Sequence, residues 1–388
     1  MTDCATKPLA GIRILALEQF ASAPYGSMFL ADLGAEVIKI ENAASGGDAA
    51  RYAGPYRLGA ADSEYFQGWN LNKRSVLLDL CAPEDRRAFE RLVAEAHALV
   101  DNLRGDVPAK LGVDYAALRA VNPAIVCLHI SAYGRDNERA ARPGYDYLMQ
   151  AEAGLMSLTG EPGGPPARFG TSTIDYMSGM TGIVGLLACL LRARESGKGC
   201  DVDVSLFDVA LHQLNYVATW YLNEGLRSSR TERSAHFSVG PVETYPTADG
   251  WVYVMCMTEK FWSALARGLG RADLESDARF ASPELRHRHR EALAALLDVE
   301  FLKRPTAHWL RLLAERLPIA PVHDLAEALD SPFVARTGMI SQVRHPHRPD
   351  LRVLANPIKL DGLRLAQTVC SPLGADGGRM LAPSPRKP

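Results

Sequence analysis

The chain has 388 residues, enough for two or three domains with a sizeable buried core, and it is 47% hydrophobic and 23% charged. Its 43 Lys and Arg against 45 Asp and Glu leave a net charge of −2, which argues against a dedicated nucleic-acid binder and points to a small-molecule partner. Seven cysteines (Cys4, Cys81, Cys127, Cys189, Cys200, Cys256, Cys370) are scattered and never spaced as C-x-x-C, so neither a disulfide framework nor a zinc site is indicated and a reducing cytoplasm fits. Met1-Thr2-Asp3-Cys4 lacks the basic region and apolar run of a secretory signal. The most apolar stretch, Met177 to Leu191, is broken by Gly179, Gly182 and Gly185 and predicts a buried helix instead of a bilayer span.

Strand and helix signals alternate along the first 130 residues. Ile12 to Leu17 is a buried strand, Pro24 to Leu33 a helix closed by Gly34, and Glu36 to Ile40 the next strand. Ser75 to Leu80, Ala98 to Val100 and Ile125 to Ile130 are further strands, with an amphipathic helix over Glu84 to Ala96. This order predicts a parallel sheet covered by helices. The turn after the first strand, Glu18-Gln19-Phe20-Ala21-Ser22-Ala23-Pro24, has no G-x-G-x-x-G, and neither Gly-rich loop continues as G-K-[ST], so nicotinamide and ATP chemistry lose support.

Leu206 to Leu222 reads as one long helix, and the polar segment Arg227 to Arg233 as a linker. A smaller α+β unit follows, with a strand at Trp251 to Met255 and helices over Glu259 to Leu269, Glu284 to Leu302 and Ala307 to Arg316. Strands are expected at Gln342 to Arg344 and Ala355 to Leu360, and a disordered tail after Leu381. The division is 1–225 for the N-terminal part of a large α/β domain, 226–330 for the small α+β domain, and 331–388 for a segment returning to the large domain. His287, His289, His345 and His347 lie in Arg-rich polar surroundings and read as exposed, so no metal is predicted.

Several blocks together resemble the family III coenzyme A transferases, a group that includes formyl-CoA transferases, carnitine CoA-transferases and the α-methylacyl-CoA racemases. The blocks are Leu9 to Leu15, Leu33 to Glu41, Asn72-Lys73-Arg74-Ser75, Arg142-Pro143-Gly144-Tyr145-Asp146, Gly154 to Gly160, and Gly197 to Leu206. The resemblance implies a large Rossmann-like domain with a parallel sheet plus a smaller α+β domain, assembled as an interlaced homodimer. It implies Asp146 as the nucleophile and a coenzyme A thioester as substrate, with no permanently bound cofactor, no nucleic acid and no membrane. An ionised carboxylate suits that role, because its mixed anhydride stays reactive toward both thiolate and carboxylate. The local pattern also allows Asp146 to be a plain helix N-cap for the run from Tyr147.

The same resemblance places Phe20, Ala21 and Ser22 against the CoA, and Asn102, Leu103 and Lys110 at its nucleotide. Asn72, Arg74, Tyr133 and Gly134 are further CoA candidates. Arg51, Arg74 and Arg104 could pair with phosphate or with a substrate carboxylate. Tyr145, Asp175 and Gly240 are candidates for the substrate or a mobile loop, with helix N-capping as the alternative for Asp175. Racemases carry a His where Tyr145 stands, and Tyr titrates too high for that work, so CoA transfer is favoured, with succinyl-CoA or another dicarboxylyl-CoA as donor. Racemisation of a 2-methylacyl-CoA and a non-catalytic CoA-binding subunit are the alternatives.

Overall fold

The computed structural model describes residues 7–381. Cys4, the N-terminal Met1-Thr2-Asp3-Cys4 and the tail after Leu381 lie outside the described residues. The chain forms two compact units. The first holds residues up to 153, 169–215 and from 333 on, and the second holds 154–168 and 216–332.

The first unit is built on six parallel strands: β1 (Arg13–Leu17), β2 (Glu36–Glu41), β3 (Arg74–Leu77), β4 (Ala98–Asp101), β5 (Val126–Ser131) and β6 (Cys200–Ser205). Their order across the sheet is β3-β2-β1-β4-β5-β6. The strands are near-continuous apolar runs because helices cover both faces; Ile14, Leu15, Ala16, Leu99 and Val100 have no exposure. Helix α1 (Ser22–Asp32) returns the chain from β1 to β2, and α2 (Pro83–Glu95), with Pro at its start, leads from β3 to β4. The strand order reverses between β1 and β4, and in such sheets a crevice opens there, beyond the carboxyl ends of the strands. Leu17 and Asp101 pair as the last residues of the two strands, so both following loops leave at one level.

A long helix, α4 (Thr173–Ser196), follows a short one, α3 (Asp146–Glu152), and packs along α1, β5 and β6. It is the helix predicted around Met177, extended to 24 residues, but buried only on the face toward α1 and the sheet, with Met177, Val184 and Leu191 exposed. Glycines let α1 and α4 touch: a Cβ on Gly26 would stand 2.8 Å from the Gly179 carbonyl oxygen, and one on Gly179 2.4 Å from that of Ser22. This close approach fixes the first turn of α1 against the first turns of α4.

In the second unit a three-stranded antiparallel sheet (Val242–Pro246, Trp251–Met255, Ile319–Pro321) packs on helices Glu259–Gly268, Arg290–Phe301 and Thr306–Leu313 around Trp262, Phe280, Leu297 and Phe301. Several expectations are corrected here. The helix from Leu206 breaks into Leu206–Gln213 and Asn215–Glu224, because Asn215 takes a left-handed backbone with φ of 40°. The basic helix breaks at His289 into Pro283–Arg288 and Arg290–Phe301. Ala355 to Leu360 is mostly irregular, and a hairpin, Ile340–His345 with Arg348–Leu354, precedes it. His345 is not exposed: it is buried 3.1 Å from Asp62, a partner too remote in sequence to be seen from composition.

His129 of β5 lies buried between Asp101 and Asp201, its Nδ1 2.6 Å from the first carboxylate and its Nε2 2.9 Å from the second. Burial disfavours its charge, but the two carboxylates outweigh burial and raise its pKa to about 9. The folded value therefore exceeds that of the unfolded chain. The stabilisation, on the order of 3 kcal/mol, is complete below pH 6.5 and is lost as pH rises through 9. Melting temperatures of the wild type are expected to fall across that window and those of His129→Asn to lack that slope; a flat wild-type curve would contradict the assignment.

Candidate active site

The loops beyond β1 and β4 form a cleft of about 250 Å³ where the strand order reverses. Its walls come from Phe20, Ala21, Ser22, Asn102, Leu103 and Arg104 on those loops, and from Gly144, Tyr145 and Asp175 opposite. Asn102 joins the two loops: its Oδ1 accepts from the Gln19 backbone at 2.9 Å, and its Nδ2 donates to the Gln19 carbonyl at 2.6 Å and to Ser22 Oγ at 3.1 Å. Asp101 Oδ1 accepts the Leu103 N–H at 3.1 Å, so the buried histidine cluster steadies this loop from below.

Phe20 occupies the left-handed region with φ of 56°, uncommon for a residue with a large side chain. It is held there by its N–H bond to Asp48 Oδ1 (3.2 Å) and packs edge-on to Tyr145, with ring centroids 6.2 Å apart. Asp48 is itself anchored by Lys39 at 2.8 Å. Lys39 also donates to the Glu18 carbonyl at 2.8 Å, and Lys73 donates to the Glu18 carboxylate at 2.6 Å. All four charged side chains are fully buried or nearly so. Burial pulls Lys73 down to about 8 against the pull of Glu18, whereas the carboxylates around Lys39 overcome its burial and raise it.

Asp146 is 2% exposed and is the first residue of α3, where Tyr145 takes the N-cap position. Its carboxylate does cap a helix, but a different one. Oδ2 accepts the backbone N–H groups of Ile174 (2.6 Å) and Asp175 (3.1 Å) in the first turn of α4, whose own N-cap, Ser172, makes no side-chain cap. Gln150, one turn along α3, donates to Oδ1 at 2.5 Å and accepts the Phe169 N–H at 2.9 Å. Gly144 is needed for the approach, since a Cβ there would stand 2.5 Å from that of Ala132. Asp175 lies inside the first turn of α4, not at its cap, and its side chain lines the cleft. Burial, then the charge of Asp146, raises its pKa to about 7.

The structure therefore brings together Phe20, Ala21, Ser22, Asn102, Leu103, Arg104, Tyr145 and Asp175, with Asp146 between the last two. Other candidates stand elsewhere. Arg51 is buried and fork-paired with Glu41 at 2.7 and 2.8 Å. Arg74 faces Glu36, and Asn72 bonds Asp32 and Thr368. Tyr133 donates to Glu152, and the Gly134 N–H bonds Ser131 Oγ. Lys110 is exposed and ion-paired with Asp106 at 2.6 Å, beside Leu111, which lines an adjoining depression of about 140 Å³. Gln19, Asn42, Asp79, Cys81 and Leu103 also line that depression. Gly240 belongs to the second unit, where its carbonyl accepts from Arg286. Sequence reasoning missed Gln19, Asp79 and Gln150, although Gln150 stands four residues after Asp146 on one helix face. A larger cavity of about 490 Å³, walled by Tyr25, Trp69, Tyr176 and Leu351, is lined by no residue of the six sheet strands.

A crevice at the reversal point of a parallel sheet, with an acid, Asp175, on its wall and a buried carboxylate, Asp146, behind it, is the arrangement of an α/β enzyme with a small-molecule site. The chain belongs to CoA-transferase family III, whose model matches residues 9–377, and is an enzyme of that class. It is 33% identical over 347 residues to a succinate–glutarate CoA-transferase of Agrobacterium fabrum, covering 87% of this chain and 86% of the relative. It is 28% identical to the succinyl-CoA:glutarate CoA-transferase of Mus musculus, covering 96% and 85%. The crystal structure of a CAIB/BAIF family protein from Brucella suis superposes with a TM-score of 0.84 at 31% identity, covering 97% of this chain and 99% of that one.

If the charge of Asp146 helps to hold Asp175 protonated, Asp146→Asn lowers the Asp175 pKa below 7. Carboxyl ¹³C shifts followed by NMR across pH 4–9 report it. An unmoved titration would assign the whole effect to burial.

Proposed function

We propose that this enzyme moves CoA from an acyl-CoA, with succinyl-CoA or another dicarboxylyl-CoA as donor, to a free carboxylic acid, and that Asp146 is the nucleophile. The observation that carries this is the placement of the Asp146 carboxylate: buried directly behind Tyr145 and Asp175, which line the cleft, in the Pro-Gly-Tyr-Asp block that resembles the family's nucleophile block, with N–H donors of Gln150, Ile174 and Asp175 directed at it. The carboxylate attacks the thioester carbonyl, the CoA thiolate leaves, and a mixed anhydride forms. The thiolate then attacks the aspartyl carbonyl, releasing the first acid and leaving an aspartyl-CoA thioester. A second acid reverses both steps. The relatives named for succinate and glutarate support a dicarboxylic acid on each side of the exchange.

In this reading the pantetheine runs along Phe20, Ala21 and Ser22, the nucleotide enters the adjoining depression past Leu103, and Arg104 meets a phosphate or the distal carboxylate. Asp175, whose pKa burial and the Asp146 charge raise to about 7, donates a hydrogen bond into the cleft when protonated, without adding a second negative charge beside Asp146. The enzyme works as a homodimer in the cytoplasm. An apolar stripe on α4, Met177, Val184 and Leu191, is exposed in the single chain and supplies surface for a partner copy. Sedimentation equilibrium is expected to give twice the chain mass.

Incubation with succinyl-CoA and a panel of free acids is expected to yield new acyl-CoA species by mass spectrometry. Asp146→Ala is expected to lower that exchange by at least about 10³-fold while leaving the fold and CoA binding in place. Undiminished turnover of Asp146→Ala would sink the assignment.

A further inference from the structure

The two oxygens of the Asp146 carboxylate are held differently. Oδ2 lies on two backbone N–H groups of α4, which cannot turn away without unwinding the helix. Oδ1 lies on the side-chain amide of Gln150, which is 2% exposed and fixed at its other end by the Phe169 N–H. That tether keeps the amide from flipping, so its N–H faces Oδ1 and not its carbonyl.

We propose that these oxygens keep separate roles through the whole cycle: Oδ1 is the attacking atom, and Oδ2 never leaves the aspartyl carbon. The proposal rests on Asp146 being the nucleophile. In the first step an Oδ1 lone pair forms the bond to the thioester carbonyl carbon, and the C–S pair departs with the CoA thiolate. In the second, the thiolate forms a bond to the Asp146 carboxyl carbon, negative charge moves onto Oδ2, and the bond from that carbon to Oδ1 breaks. Oδ1 then leaves within the released acid. The two α4 amides meet Oδ2 at the moment it is charged, as an oxyanion hole for the enzyme's own acyl group, already assembled before substrate arrives. The incoming acid attacks the aspartyl-CoA carbonyl with one of its own oxygens, which becomes the new Oδ1 when the thiolate takes its acyl group away. Oδ1 is thus replaced in every cycle, and exchange of the two positions requires rotation of the carboxyl against three hydrogen bonds. Gln150 is a positioning residue, because it selects which oxygen faces the thioester.

The test uses the acid and thioester that the wild-type enzyme exchanges, with the acid carrying ¹⁸O in every carboxyl oxygen and in large excess. After many turnovers the enzyme is digested and the Asp146 peptide weighed. One ¹⁸O, a gain of about 2 Da that does not increase with further cycles, is the expected result. Two, a gain of about 4 Da, would overturn the proposal while leaving Asp146 as nucleophile. No label at Asp146 while the thioester pool becomes labelled would remove the nucleophile reading itself. Gln150→Ala is expected to admit the second ¹⁸O; a single label in that variant would remove Gln150 from the restraint.

Discussion

The cleft depends on a set of charges that never meet water. Glu18 and Asp48 on one side, Lys39 and Lys73 on the other, lie beneath the turn that leaves β1, and their ion pairs at 2.6 and 2.8 Å tie β1, β2, the strand-β3 entry and the start of α1 into one piece. Removing any single member strands a buried charge, which costs about 3–5 kcal/mol, whereas hydrophobic replacement of the whole set would be tolerated by stability alone. What the charges do that apolar side chains could not is hold Phe20 in a left-handed backbone through the Asp48 carboxylate. The turn is thereby held in one shape at the cleft. Its polarity follows from topology: the turn sits where the strand order reverses, the position at which an open parallel sheet has a crevice to fill.

The second wall is set by α4. Gly26 and Gly179 bring that helix onto α1, so the same contact that positions the Phe20 turn also positions the amides of Ile174 and Asp175. Those amides hold Asp146, which arrives from α3. Asp146 and the Phe20 turn are therefore referenced to one pair of helices, and their separation is fixed by backbone packing instead of by flexible side chains. The acid at Asp175 belongs to the same arrangement: burial and the Asp146 charge raise its pKa to about 7, so it is largely protonated only below that pH.

Much of this was legible in the sequence, and what was not has a common physical cause. The strands were visible because a parallel sheet needs unbroken apolar runs, and the cleft loops because they follow those strands. Asp146 was marked as a nucleophile candidate by resemblance and as a cap by local pattern, and the structure makes it a cap for a helix that begins 27 residues later, a contact no local pattern contains. Arg51 and Arg74 looked available for phosphate, and Asn72 for CoA, because their partners, Glu41, Glu36 and Asp32, are distant in sequence. His345 misled in the same way through Asp62. The excursion of residues 154–168 into the second unit is likewise a matter of long-range contacts, with only its Gly and Pro content as a signal.

The most direct test of the account is a crystal structure of the enzyme with an acyl-CoA bound. The account predicts the pantetheine along Phe20, Ala21 and Ser22 and the thioester carbonyl carbon about 3–3.5 Å from Asp146 Oδ1, the separation of a near-attack geometry. Acyl-CoA bound away from that turn, for instance in the aromatic cavity of Tyr25, Trp69 and Tyr176, would contradict it.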